Sequence, residues 1–251
     1  MKLFKKFFVF IFLIFLSINA IFARDTKMGK VVLLGNKGSG KSSFQDALIY
    51  GRKAGDTARV PSEKIDKTLQ YTVQHDEKDV TINLTLQDYP GDEDFYNSLP
   101  QYYRNAQFAF IFIPLDIHIS QKSLDDRLKR WVNDFFEKTN YNENKDNVIL
   151  TVVGTRLDLA VKSSDQFLFN ENTDLIKKKL KQSSRSIDFI VISNNDPDDV
   201  KNKFESVIKE NFDRVNPILE KNGQYSEGII KLNRPVRVES EEEKNGCCVV
   251  S

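Results

Sequence analysis

The sequence predicts an α/β fold built on a mostly parallel, doubly wound sheet with one antiparallel edge strand. Three observations carry this. Apolar runs at Val31–Leu34, Phe108–Leu115, Val148–Val153 and Ile187–Ile192 alternate with stretches whose apolar residues recur at helical spacing. One segment, Leu69 to Gln87, instead alternates apolar and polar residues about the turn Asp76–Asp79, which predicts a hairpin and so an antiparallel edge. The first apolar run leads directly into Gly35-Asn-Lys-Gly-Ser-Gly-Lys-Ser42, a glycine-rich turn that joins a strand to a helix.

Taken in order, residues 1–27 have a basic start, an apolar core Phe7–Leu16 and then Ser17, Asn19, Ala20 and Ala23, the pattern of a secretory signal or a short uncleaved anchor. Met28, immediately before Gly29-Lys-Val-Val, suggests equally that these residues extend the gene model upstream. After the glycine-rich turn, Phe44, Ala47 and Leu48 share one helical face. Gly51 to Lys67 has no sustained period and reads as a loop. The hairpin ends at Asp88-Tyr-Pro-Gly91. Phe108–Leu115 and Val148–Val153 are apolar throughout, as expected of strands buried on both faces. Leu124, Leu128, Trp131, Val132, Phe135 and Phe136 predict a core-facing helical stripe, with the lone tryptophan a packing residue. A lysine-rich helix around Leu175–Leu180 precedes the strand Ile187–Ile192. Val200, Phe204, Val207, Ile208 and Phe212 make a last amphipathic helix, and from Asn216 no core pattern returns. The organisation expected is therefore 1–27 as a leader or extension, 28–215 as one domain and 216–251 as a flexible tail.

Composition excludes little but does exclude something. The 37 basic residues balance 36 acidic ones, which gives no electrostatic reason to expect nucleic acid. The two cysteines, Cys247 and Cys248, are adjacent near the C-terminus, where they suit neither a metal site nor a disulfide framework. His75 and His118 have no second ligand type beside them, so neither is expected to bind metal or act in catalysis.

The chemistry lies at strand ends. In Gly35, Asn36, Lys37, Gly38, Ser39, Gly40, Lys41 and Ser42 the sequence fits G-x-x-x-x-G-K-[ST], the P-loop pattern. Its glycines let backbone N–H groups turn toward a phosphate, Lys41 adds a positive charge, the Ser42 hydroxyl suits Mg²⁺, and the following helix, with Ser43 in its first turn, directs its positive end at the anion. Asp88 can hold Mg²⁺ through water, and Gly91 lets a backbone N–H approach a terminal phosphate. In Thr155-Arg156-Leu-Asp158, a carboxylate after a buried strand can accept from both the ring N–H and the exocyclic amine of guanine, a pair of donors that adenine lacks.

This ordered set resembles the Ras superfamily of small GTPases, nearest to Rab and Ras members, over residues 28–215, and Gln101-Tyr-Tyr-Arg-Asn-Ala106 is similar to a Rab pattern. The resemblance implies the small G-protein form of the P-loop NTPase fold, Mg²⁺ as cofactor and GTP or GDP as ligand. It also implies effectors, exchange factors and GTPase-activating proteins as partners. It makes Lys41 a phosphate binder, Ser42 and Asp88 metal-site residues, Asp158 the guanine reader, and Thr68 the switch threonine that closes on Mg²⁺. Three departures matter. Asp92 stands where the family has the glutamine that orients the attacking water, so low intrinsic hydrolysis is expected. Arg156 replaces a lysine. Ser193-Asn-Asn195 replaces Ser-Ala-Lys, so that only Ser193 and the Asn194 backbone carry over as base contacts.

The end Cys247-Cys-Val-Val-Ser251 reads as a prenylation signal on Cys247 or Cys248, which implies a membrane anchor. Prenylation is cytosolic and a cleaved leader is not, and the C-terminal signal decides for the cytoplasmic face of a membrane. The functional expectation is a guanine-nucleotide switch with slow GTP hydrolysis, in trafficking or signalling. The alternatives are a GTP-binding scaffold that does not hydrolyse, and a membrane-tethered GTPase resembling the β subunit of the signal recognition particle receptor. A nucleoside-phosphate kinase ranks last.

Overall fold

The computed structural model describes residues 25–55, 67–88, 91, 103–133, 135–136, 148–162, 166–183 and 186–219. Its sheet is built from β1 (Asp25–Leu34), β2 (Lys67–His75), β3 (Lys78–Asp88), β4 (Phe108–Pro114), β5 (Ile149–Thr155) and β6 (Asp188–Val191), in the order β2-β3-β1-β4-β5-β6. β2 pairs antiparallel with β3, and every other neighbouring pair is parallel. The expected doubly wound sheet with one antiparallel edge is therefore what forms. The hairpin turn is tighter than the sequence suggests. Only Asp76 and Glu77 separate the ladders, at φ 48° and 61°, as a two-residue turn with both central residues left-handed requires.

Helices cover both faces, and the period of two along β1 divides its side chains between them. Val31 and Leu33 face α1 (Lys41–Tyr50) and α5 (Pro197–Glu210), in a cluster with Phe44, Phe110 and Phe204. Val32 and Leu34 face the opposite cluster, with Leu124, Trp131, Phe135 and Ile176 supplied by α2 (Gln121–Leu128), its continuation and α4 (Gln166–Lys181), while the short α3 (Leu157–Lys162) follows β5. β4 and β5 are buried at all their positions, which is why their sequences are apolar without alternation. Phe204 is the centre of the first cluster, with ring centroids 5.2 Å from Phe110, 5.6 Å from Tyr71 and 6.0 Å from Phe44. Burial, helped by the nearby charge of Glu205, raises the Tyr71 hydroxyl pKa well above its ordinary value.

Two segments differ from the sequence reading. The stripe predicted as one helix breaks into α2 and a π-helical turn, Lys129–Asn133. That turn places Trp131, 1% exposed, with its Nε1 3.4 Å from Asn36 Oδ1, so the tryptophan reaches the glycine-rich turn as well as filling the core. The core also continues past Val215. A helix α6 covers 212–219 and buries Ile218 and Leu219, its period hidden in the sequence by Asn216 and Pro217.

That helix is tied to the start of β1, which begins at Asp25, ahead of Met28. Lys27, 3% exposed, donates from Nζ to Asn216 Oδ1 at 2.5 Å. An ammonium only donates, so the amide Nδ2 of Asn216 must face His75 Nε2, 3.3 Å away, while His75 Nδ1 lies 3.0 Å from Asp213 Oδ1. His75 thus has a place in a structural tie. Among the described residues no helix is long and apolar enough to cross a membrane. Leu219 also limits Gly29, where a Cβ would lie 3.0 Å from Leu219 Cδ2 and 2.7 Å from Leu84 Cδ2. Leu219→Ala is therefore expected to lower the unfolding free energy by about 2–5 kcal/mol, measured by urea denaturation. An unchanged midpoint would show that 212–219 adds nothing to the core.

Candidate functional site

The parallel registers bring five strand ends to one rim. β1 ends at Leu34 beside Asp88 of β3, Pro114 of β4 pairs with Thr155 of β5, and Gly154 pairs with Val191 of β6. The glycine-rich turn crosses this rim and α1 starts at Lys41. Gly35, Gly38 and Gly40 have φ of 138°, 75° and 98°, a region in which side-chain-bearing residues are strained. Space excludes a side chain too. A Cβ on Gly35 would lie 2.8 Å from the Phe112 carbonyl, and one on Gly40 2.8 Å from Asn194 Nδ2.

The carbonyls of this turn are held by donors from several elements. Lys41 Nζ donates to Gly35 O at 2.7 Å and to Asn36 O at 3.0 Å. Arg156 Nη2 donates to Gly38 O at 2.5 Å, and the Thr155 hydroxyl to Ser39 O at 2.8 Å. Asn194 Nδ2 and the Phe44 N–H donate to Gly40 O at 3.2 and 2.9 Å. In a planar trans peptide the C=O and the N–H of the next residue point in opposite directions. Holding the Ser39 and Gly40 carbonyls from behind therefore turns the N–H groups of Gly40 and Lys41 the other way. The result is a concave, donor-rich surface suited to an anion.

That surface opens on a cavity of about 440 Å³. Lys37, Gly38, Gly40, Lys41, Ser42 and Ser43 line it from the turn and α1, Asp88 and Gly91 from the end of β3, and Arg156, Asp158 and Asn194 from the far side. The Ser42 hydroxyl donates to Asp88 Oδ2 at 2.7 Å, which brings together two hard oxygen ligands of the kind Mg²⁺ takes. Gly91 lies against the turn. A Cβ there would meet Lys37 N and would lie 2.5 Å from the Asn36 carbonyl carbon, so this approach requires glycine. At the other end Ser193 Oγ donates to Asp158 Oδ1 at 3.3 Å, and Asn195 Nδ2 donates to Asp158 Oδ2. Leu159 and Ala54 add apolar lining beside Asp158, and Ala54 N–H is fixed by Asn194 O at 2.9 Å.

The structure thus gathers most of the expected site residues, with different tasks. Gly35, Asn36, Ser39 and Thr155 shape the turn from behind, and Thr155 is fully buried. Ser193 orients Asp158. Thr68 lies elsewhere, exposed in β2 and in register with Thr85, and does not line the cavity. Asp92, Cys247 and Cys248 lie outside the described residues, as do residues 1–24 and 220–251. Sequence reasoning missed the Asn195 side chain, the Asn194 amide as a carbonyl donor, Trp131 as a partner of Asn36, and Asp116, which pairs with Arg156. Only the polar run Ser193-Asn-Asn195 at a strand end offered a signal.

Comparisons with known proteins agree with this geometry. Residues 30–158 match the family model described as "Ras of Complex, Roc, domain of DAPkinase". The chain is 29% identical over 201 residues to the Ras-related protein Rab-5B of Plasmodium falciparum (isolate 3D7), spanning 78% of this chain and 84% of that protein. It is 24% identical over 225 residues to the Ras-like GTP-binding protein RYL2 of Yarrowia lipolytica, spanning 87% and 97%. With the GTP-binding protein YPT52 of Saccharomyces cerevisiae it shares 28% identity over 136 residues, spanning 52% and 54%. Because Asn195 is one of two side chains that orient the Asp158 carboxylate, Asn195→Ala is expected to weaken guanine nucleotide binding about tenfold, the size of one lost charge-assisted hydrogen bond. Calorimetric titration with GDP measures this, and an unchanged affinity would remove Asn195 from the site.

Proposed function

The chain belongs to the Ras superfamily of small GTPases and is Rab-like, and from that membership we propose a guanine-nucleotide-dependent switch that binds Mg²⁺-GTP and Mg²⁺-GDP and hydrolyses GTP slowly. One observation carries the reading: the donor-rich turn, the Ser42–Asp88 pair and the oriented Asp158 carboxylate line a single cavity. The backbone of the turn and Lys41 would hold the phosphates. Ser42 and Asp88 would hold Mg²⁺, which when bound supplies positive charge against the terminal phosphates. Asp158, with Ser193 and Asn195 behind it, would accept from the ring N–H and amine of guanine, and Leu159 and the aliphatic stem of Arg156 would flank the base.

Gly91 would place its backbone N–H near the terminal phosphate and so make the end of β3 sensitive to its presence. The segments on either side of that point would then be what effectors, exchange factors and GTPase-activating proteins read. A lipid on Cys247 or Cys248 would keep the domain at the cytoplasmic face of a membrane, and the Rab-like relatives favour a role in trafficking. Slow hydrolysis follows from Asp92, because a carboxylate beside a terminal phosphate adds repulsion and is one methylene shorter than glutamine. The same residue favours a second reading, a GTP-binding scaffold that does not turn over.

Phosphate release from protein-bound GTP in a single turnover separates the two. The switch releases phosphate slowly, with acceleration by cell extract and a rise of at least about fivefold in Asp92→Gln. No release under any of these conditions would leave the scaffold. The base assignment has its own test. An amide at position 158 presents one donor and one acceptor in place of two acceptors, so Asp158→Asn is expected to lose roughly 100-fold in GTP affinity and to gain affinity for xanthosine triphosphate, whose second position carries a carbonyl. Unchanged GTP binding in that variant would contradict guanine recognition by Asp158.

A further inference from the structure

Asp116 lies just beyond β4 and belongs to none of the three motifs, yet its carboxylate is only 17% exposed and has a specific partner. Its Oδ2 accepts from Arg156 Nη1 at 2.9 Å, while the other end of the same guanidinium, Nη2, donates to Gly38 O at 2.5 Å. We propose that Asp116 is a positioning residue for nucleotide binding, acting through Arg156 to hold the Gly38 carbonyl and with it the phosphate-binding shape of the turn. The inference rests on reading the cavity as a nucleoside phosphate site.

The argument begins with Arg156 itself. Its φ of 64° is left-handed, a conformation that costs a residue with a side chain and turns the chain sharply at the end of β5. From there the side chain crosses to the glycine-rich turn with 35% of its surface exposed. A long, exposed arginine otherwise samples many rotamers and stays hydrated. The guanidinium is a rigid planar fork, so fixing Nη1 on a carboxylate fixes the direction of Nη2. Gly38 depends on that direction. At φ 75°, a Cβ on Gly38 would find Arg156 Nη2, at 3.7 Å, as the nearest atom beyond its chain neighbours. The Gly38 carbonyl and the Ser39 N–H share one peptide plane, and that N–H closes the turn on Asn36 O at 3.2 Å. Asp116, Arg156, Gly38 and Asn36 are therefore one chain of contacts, and the first of them lies outside the cavity.

Simple electrostatics predicts the opposite sign. Asp116 adds a negative charge near bound phosphates, so removing it would tighten phosphate binding if charge were its main effect. Positioning predicts loosening, greater for the phosphate half of the ligand than for the base, against which only the Arg156 stem would pack. The test uses the full chain loaded with Mg²⁺-GDP and follows release of a fluorescent GDP, alongside equilibrium titrations with GDP and guanosine. Asp116→Ala is expected to release GDP about tenfold faster, the size of one hydrogen bond to a charged group, with a much smaller loss of guanosine affinity. Asp116→Asn, which keeps size and one acceptor, should lie between it and the wild type and guards against misfolding. In an Arg156→Ala background, Asp116→Ala should add nothing further, because the two act as a unit. Wild-type release or tighter binding in both Asp116 variants, equal loss for guanosine, or additive effects in the double variant would each overturn the proposal while leaving the nucleotide site intact. A wild-type chain that retains no GDP would overturn the site reading and this inference together.

Discussion

The structure depends on how the backbone of Gly35–Gly40 is held. A strand-to-helix turn of six residues cannot satisfy its own carbonyls and still present its N–H groups to a ligand. Here the carbonyls are satisfied by outside donors: Lys41 from α1, Thr155 and Arg156 from the end of β5, and Asn194 from beyond β6. Those donors are 100 or more residues apart in sequence in three of the four cases, with separations of 116, 118 and 154. Only the strand order β1-β4-β5-β6, with its parallel registers, brings them to one edge. The buried sheet is therefore the part of the molecule that shapes the anion cradle, and the two apolar clusters that clamp it stabilise the site as much as the fold.

The same arrangement explains the division of labour among polar residues. Some line the cavity and face whatever occupies it, as Lys41, Ser42, Asp88 and Asp158 do. Others stand behind them. Thr155 holds backbone, as Asn194 also does from the cavity wall, Ser193 and Asn195 hold Asp158, and Trp131 reaches Asn36 through a π-helical turn. Each of these hydrogen bonds removes a rotational freedom that a ligand would otherwise have to freeze. Two of the three departures from the Ras pattern fall at residues that hold the turn or Asp158. Arg156 does with a fork what a lysine does with a single ammonium, and the amides of Asn194 and Asn195 occupy positions where the family has alanine and lysine.

Much of this was legible in the sequence because the relevant signals are local. Val31–Leu34 followed by Gly35–Ser42, the alternating hairpin, and the continuous apolar runs of β4 and β5 each have a period or spacing of their own. The sheet order and the convergence of strand ends followed from them. What escaped was non-local. Nothing near Asp116 distinguishes it from a loop acid, since its meaning comes from Arg156, 40 positions away. The π-helical turn at Lys129–Asn133 keeps an apolar stripe that reads as ordinary helix, and the burial of Ile218 and Leu219 is masked by Asn216 and Pro217, residues that normally end a core pattern. Thr68 was placed by resemblance across a poorly patterned loop, and the ladder puts it on the exposed edge strand in register with Thr85.

The claim that the outward-held carbonyls make the turn a phosphate cradle is tested most directly by the backbone amide resonances of the turn. Proton–nitrogen spectra would be recorded as GDP with Mg²⁺, and separately guanosine, is added. The amide protons of Gly40 and Lys41 are expected to move strongly downfield with GDP, as protons hydrogen-bonded to phosphate do, and to stay nearly in place with guanosine. If both ligands shift them equally, or GDP leaves them unmoved, the turn does not hold the phosphates and the account of the site fails.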